Sequence, residues 1–340
     1  MPDNRPDGPD GPSGPVWTRA VVTGGAGFLG THLCRSLLAA GTEVVCVDNF
    51  LTSTPATLDR LQAEPGFTLL EADVAAGPLT GTGISGDTDL VVHLASPASP
   101  VDYQRHPLAT LDVGSSGTRN ALELAAKTGA RFVLTSTSEV YGDPAVSPQP
   151  ESYWGHVNPI GPRSVYDEAK RFAEALTAAH QRAGTVDAGI VRIFNTYGPG
   201  MRPDDGRVVP TFACQALRGE PLTVTGDGRQ TRSLCHVDDT VRGILAVAAS
   251  GLTGPVNIGN PDEATVLQIA ERIIALAGSP SGIEYIPFPE DDPMSRCPDI
   301  TLARRELGWE PRIGWRQGLS GALAWFATQL GLSYGSEVQG

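Results

Sequence analysis

A chain of 340 residues with 40% hydrophobic and 19% charged side chains can bury the core of one large domain or two coupled ones. Its net charge of −13 excludes a basic nucleic-acid surface, and no apolar run approaches the length of a membrane span. The five cysteines (Cys34, Cys46, Cys214, Cys235, Cys297) show neither CxxC nor Cys/His metal spacing, and read as reduced thiols of a cytoplasmic protein without a metal.

Residues 1–16, rich in Pro, Gly and Asp, read as a disordered tail, and 331–340 as a second tail. From Trp17 to Asn195, β-branched apolar runs alternate with segments of helical period. The predicted strands are Ala20–Thr23, Glu43–Val47, Thr68–Glu71, Leu90–Leu94, Arg131–Ser136 and Ala188–Ile193. The predicted helices are Gly27–Ala40, Pro107–Thr128 and Ser164–Ala183. This alternation implies an α/β domain over 17–195, a Rossmann-like, doubly wound parallel sheet covered on both faces. Beyond Asn195 come loops rich in Gly, Pro and Asp with shorter elements, read as a smaller C-terminal substrate-binding domain over 196–235 and 257–330. The helical stretch Thr240–Ser250, within 236–256, returns to the first domain.

The stretch AVVTGGAGFLGTHL places Gly24, Gly27 and Gly30 between a strand and the opening of a helix. Glycines there permit a tight turn and let the backbone approach a pyrophosphate at the helix N-terminus. The next strand, EVVCVDNF, ends in Asp48, placed to accept from adenosine ribose hydroxyls and to repel a 2′-phosphate, which favours NAD over NADP. A plain glycine turn with a solvated aspartate is the alternative. Asp73, after the third strand, is either an adenine contact or a surface aspartate.

Lys127 and Lys170 are the only lysines, and Lys170 follows Tyr166 by four residues, on one helix face. An ammonium and a positive nicotinamide both favour phenolate, so Tyr166 is a candidate base for a sugar hydroxyl. Thr137, in the hydroxyl-rich stretch TSTSEVYGDP, is placed to hold that oxygen. Glu139 follows in the same stretch, as a functional acid or as a salt-bridged strand-end residue.

TGGAGFLG, the YxxxK pair and the hydroxyl strand resemble the extended short-chain dehydrogenase/reductase family of nucleotide-sugar enzymes. The similarity is closest to its UDP-glucuronate decarboxylase branch, through HLASPASP (93–100), TSTSEVYGDP (135–144), YWGHVNPIGPRSVYDEAK (153–170), RIFNTYGPGM (192–201), DGRVVP (205–210), NIGNP (257–261) and LGWEP (307–311). It covers residues 18 to 330. It implies a homodimer with tightly bound NAD, contacted also by Phe28, Leu29, Asn49, Val74 and Leu94. It further implies that C4 of UDP-glucuronate is oxidised, that the β-keto acid loses CO2, and that the 4-ketopentose is reduced to UDP-xylose. Related 4,6-dehydratases carry Thr-Asp-Glu where this chain has Thr137-Ser138-Glu139, so the dehydratase acid is missing. The resemblance pairs Glu139 with Arg296 around the sugar carboxylate. It puts Asn195 and Arg232 on the diphosphate, with Arg207, Tyr103 and Gln215 as further substrate contacts; Arg232 read alone is equally a loop residue paired to an aspartate. Three positions depart from the pattern. Asp112 and Gly114 replace a lysine and an asparagine, and Cys297 replaces a lysine beside Arg296. A UDP-sugar 4-epimerase and a non-catalytic NAD-binding regulator are the competing readings.

Overall fold

The computed structural model describes residues 17–80, 84 and 87–335, so the expected tail at 1–16 and the last five residues of 331–340 lie outside the described residues. Six strands follow the expected rhythm: β1 (Arg19–Thr23), β2 (Glu43–Asp48), β3 (Phe67–Glu71), β4 (Leu90–His93), β5 (Arg131–Thr137) and β6 (Ala188–Ile193). With Pro255–Ile258 they form a seven-stranded parallel sheet, from Pro255–Ile258 through β6, β5, β4, β1 and β2 to β3. Every residue of β4 and β5 is buried, which is why LVV and FVL are unbroken apolar runs rather than alternating ones. The chain winds outward from β1 to β3 and then restarts at β4 on the other side of β1. That reversal opens a crevice beyond the carboxyl ends of β1 and β4.

Strand ends shift by one residue from expectation. β2 takes in Asp48 and β5 takes in Thr137, while β4 stops at His93, although Leu94 still donates its N–H to the Thr23 carbonyl at 3.0 Å. The helices on the sheet are α1 (Phe28–Ala39), α2 (Pro100–Arg105), α3 (Pro107–Asp112), α4 (Thr118–Thr128) and α5 (Ser164–Arg182). The single helix expected over 107–128 is thus divided, with a π-helical turn at Val113–Gly117 between α3 and α4. Two causes act there. VGSSG holds an α-helix weakly, and α5 approaches so closely that a Cβ on Gly114 would lie 2.7 Å from that of Ala169.

The later part contains α6 (Val208–Arg218), α7 (Val237–Ala249), α8 (Val266–Ala277), α9 (Thr301–Leu307) and α10 (Trp315–Gln329). Phe212, Ile269, Trp315 and Phe326 build a second core from α6, α8 and α10. α7 and Pro255–Ile258 join the large sheet, as expected of 236–256. The chain also returns once more than expected. Ile300, Ala303 and Trp309 bury themselves in the first core, and the Trp309 indole donates to the Asp239 carbonyl at 3.1 Å. Among the described residues no helix is long and apolar enough to cross a membrane, and no His/Cys/Asp/Glu group could hold a metal.

Candidate active site

One cleft of about 1240 Å³ runs along the strand ends and the loops of the later part, and most of the expected site residues line it. At one end lies the glycine turn. Gly24 has φ +71°, donates its N–H to the Val47 carbonyl at 2.7 Å, and has no room for a side chain: a Cβ would sit 2.7 Å from the Ala95 backbone. A Cβ on Gly30 would lie 2.2 Å from the Gly24 carbonyl oxygen, so that glycine lets α1 pack against the turn. Gly27 caps α1, and a Cβ there would meet only the Gly24 oxygen, at 3.3 Å, so its missing side chain leaves space in the cleft beside the helix N-terminus.

Asp48 is buried at the end of β2. It accepts from the Ala26 N–H, the Phe50 N–H and the Ser53 hydroxyl, each at 2.9 Å. These bonds aim the carboxylate and leave it acceptor capacity. Phe28, Leu29, Asn49, Asp73, Val74 and Leu94 line the same end, with Asp73 also accepting from the Ala75 N–H at 2.8 Å. A turn that excludes side chains, a helix N-terminus and a fixed acid fit a dinucleotide.

Tyr166 and Lys170 project from the first turns of α5 and are buried. The Lys170 ammonium donates to the Thr135 carbonyl at 3.0 Å and lies 5.9 Å from the Tyr166 ring centre. Burial lowers Lys170 to about 8, against the opposing pull of Glu174. The phenol of Tyr166 behaves otherwise than a Tyr–Lys pair alone suggests. Burial, and next the Glu139 charge, push it up, outweighing the Thr137 hydroxyl and Arg207. Tyr103, from α2, stacks on the Tyr166 ring, and its own buried hydroxyl has no partner.

β5 ends in a 3-10 turn, Ser138–Tyr141, capped by Thr137, whose hydroxyl accepts from the Glu139 N–H at 3.3 Å. The cap turns Glu139 into the cleft. There its Oε2 accepts from Arg296 at 2.7 Å and from Arg163 at 2.5 Å, and Arg296 also donates to the Ser138 carbonyl. Burial opposes ionisation of Glu139, but Arg296 and Arg163 prevail and hold it at about 2. Arg163 donates its other nitrogen to Asp292 at 3.2 Å, and Asp292 accepts from Arg232 at 2.7 Å.

Arg163 and Asp292 were absent from the site read in the sequence. The available signal was Glu139 itself, since a buried acid demands cations, and Arg163 stands three residues before Tyr166. Asn195 lines the cleft with its Nδ2 buried and unpartnered. Arg207 lines it as well, forked onto Asp205 at 2.5 and 2.7 Å. Arg232 lines it while paired to an aspartate, so both readings of that residue coexist. Gln215 does not line the cleft: its amide is spent on Thr223, at 2.9 and 3.1 Å. Asp112 reaches the cleft, whereas Cys297 is buried, with burial pushing its thiol up, as suits an inert small residue.

Sheet, turn and cleft together define an NAD-using enzyme of the Rossmann type. The chain belongs to the NAD dependent epimerase/dehydratase family, whose pattern matches residues 20–259. It is 50% identical over 301 residues to UDP-glucuronic acid decarboxylase 2 of Arabidopsis thaliana, covering 88% of this chain and 66% of that protein. It is 48% identical to UDP-glucuronic acid decarboxylase 5 of the same plant, over 88% of this chain and 87% of the relative. UDP-glucuronic acid decarboxylase 1 of Danio rerio is 46% identical, over 92% and 73%. The chain thus spans about two thirds of the first plant relative and most of the second. Among solved structures, a UDP-glucuronic acid 4-epimerase of Bacillus cereus in complex with UDP-glucuronic acid and NAD is similar, with TM-score 0.81 and 28% identity over 92% of this chain and 99% of that one. A dTDP-glucose 4,6-dehydratase of Streptomyces venezuelae with NAD bound gives TM-score 0.84 and 28% identity, over 92% and 98%.

Proposed function

We propose that the protein decarboxylates UDP-glucuronate to UDP-xylose and CO2, keeping its NAD through the cycle. The observation that carries this reading is the Glu139–Arg296 pair in the same cleft as Tyr166 and Lys170. NAD+, when bound, supplies the acceptor and later the donor of the C4 hydride, and a positive charge beside the phenol. Gly27 would leave room for its pyrophosphate on a turn that Gly24 and Gly30 keep tight, Asp48 would hold its ribose, and Phe28, Leu29, Asn49, Asp73, Val74 and Leu94 would wall it in. Tyr166 takes the proton from the C4 hydroxyl, and Lys170, anchored on Thr135, keeps a cation near the ring. Thr137 spends an acceptor site on its turn, and its hydroxyl, which bonds the Tyr166 phenol, turns to the C4 oxygen when substrate enters between them.

As the C5–C6 bond breaks, its electron pair moves toward that oxygen, where Tyr166 and Thr137 stabilise the enolate. Arg296 orients the departing carboxylate. An unopposed arginine would retain that carboxylate, but Glu139 already offsets much of its charge, so orientation and release are compatible. Glu139 is ionised at neutral pH and has no proton to give. It therefore orders the water that protonates C5, the proton coming from solvent. Asn195, Arg207 and Arg232 bind the diphosphate, Tyr103 meets the sugar, and Gln215 shapes the wall behind Thr223.

In this reading residues 17–195 and 236–256 carry NAD, while 196–235 and 257–330 carry the sugar nucleotide. Leu108 on α3 and Phe172 on α5 are exposed apolar side chains on helices that pack together, and we assign that face to a homodimer. Five free thiols suit the reducing cytoplasm. A 4-epimerase would use Tyr166 in the same way but has no carbon to protonate after CO2 loss, so it leaves the Glu139 cluster without a task. Incubation with UDP-glucuronate and NAD+, read by NMR, is expected to yield UDP-xylose. UDP-galacturonate without CO2 would overturn the reading.

A further inference from the structure

Five charged side chains form an alternating row in the cleft: Arg296, Glu139, Arg163, Asp292 and Arg232. With Arg232 given to the diphosphate, two cations and two anions remain, so a substrate carboxylate has to share Arg296 with Glu139. Taking the proposed decarboxylation as its basis, the row presents a conflict. Arg296 is asked to hold both Glu139 and the sugar carboxylate. As Arg296 is shared with the substrate carboxylate its hold on Glu139 weakens, and Glu139 needs a second cation, because an under-paired buried carboxylate is costly.

Arg163 is the cation left to do this. Both arginines donate to the same oxygen, Oε2, and Arg163 is held on its far side by Asp292. Arg163 is also the N-cap residue of α5, three positions before Tyr166, so it links Glu139 to the helix that carries the phenol. We infer that Arg163 is a positioning residue for CO2 loss and C5 protonation, holding Glu139 by Oε2 while Arg296 engages substrate, with Asp292 keeping Arg163 from the substrate carboxylate.

Glu139 is faced by Arg163, Tyr166 and Asp167 from α5, by Tyr103 from α2, by Arg296 and by Arg232, with Asp292 behind Arg163 and Arg232. Of these, Arg163 and Arg296 make the ion pairs with it. Loss of Arg163 therefore weakens the hold on the charged carboxylate. Activity requires that charge, so the acid limb of the kcat profile moves to higher pH.

The test compares wild type with Arg163→Met, Arg163→Lys and Asp292→Asn as NAD-loaded full-length protein, with UDP-glucuronate. CO2 release and NADH formation are followed separately across pH. Expected for Arg163→Met is a fall in CO2 release of about a hundredfold, the cost of a misplaced group. NADH formation and the KM for UDP-glucuronate should change little, and the acid limb should rise. Arg163→Lys should recover part of the loss, and Asp292→Asn should slow CO2 release by freeing Arg163 toward the substrate carboxylate, without raising the acid limb. Unchanged CO2 release and limb in all three variants would overturn the inference, as would equal loss of NADH and CO2 formation. Arg163→Lys and Asp292→Asn decide the matter if Arg163→Met does not fold. Wild type that releases no CO2 would sink the proposed function, and the inference with it.

Discussion

The ring of Tyr103 lies on the ring of Tyr166, with centroids 5.3 Å apart and planes 8° from parallel. The stack belongs to the shell that keeps the phenol dry, and burial is the largest influence raising that phenol. Tyr103→Phe keeps the stack and should leave the pH profile of C4 oxidation in place. It removes only a hydroxyl, worth roughly fivefold in KM if that group meets the sugar. Tyr103→Ala lets water in, so the phenol ionises more readily and the profile moves to lower pH. Stopped-flow measurement of NADH formation checks both.

Glu139→Gln removes the charge while keeping the shape. NAD binding and C4 oxidation should persist, while CO2 release falls about 10²-fold, because Arg296, no longer opposed, retains the carboxylate in a misplaced geometry. The ketone, with NADH, should then accumulate and be visible by absorbance and NMR. Full CO2 release from this variant would refute the role given to the carboxylate.

Gly114 and Ala169 are fitted to each other. An asparagine at 114 would press its Cβ within 2.7 Å of the Ala169 Cβ and 2.8 Å of its carbonyl oxygen. Gly114→Asn should lower stability by about 1–3 kcal/mol, the cost of overpacking. Ala169→Gly in the same chain should restore part of it. Thermal unfolding of the two single variants and the double variant measures the coupling.

Asp167, in the first turn of α5, has an unpartnered buried oxygen. Burial, then the Glu139 charge, raise its carboxyl to about 7. A raised folded value means the unfolded chain gives up the proton first. The favourable contribution is whole below about pH 4, where unfolded aspartate titrates, and is lost as pH climbs through about 7. Asp167→Asn should therefore melt at a higher temperature than wild type above neutrality, with the advantage shrinking toward acid pH. A constant difference in Tm across that range would contradict the assignment.

Much of the scaffold was legible without coordinates. VVT, VVCV and FVL are buried strand segments because apolar, largely β-branched runs suit a sheet covered on both faces. The glycine spacing and the Tyr166–Lys170 pair depend on backbone sterics and a helical period that act within a few residues. Local signals mislead where a distant group decides the outcome. The helix over 107–128 was read as continuous, but the crowding that divides it comes from Ala169, far along the chain. Gln215 resembled a substrate contact, yet Thr223 has claimed its amide.

The sequence by itself determined that this chain builds a parallel sheet with a dinucleotide turn and a tyrosine–lysine helix, because each is written in short-range pattern. It also marked Glu139 as an acid that needed a reason. The resemblance had already paired it with Arg296, and only the tertiary structure brought Arg163 to the same oxygen. Arg296 arrives from 157 residues away and Arg163 from 24. Ion pairing depends on separation in space and on exclusion of water, and neither exists until the fold has closed.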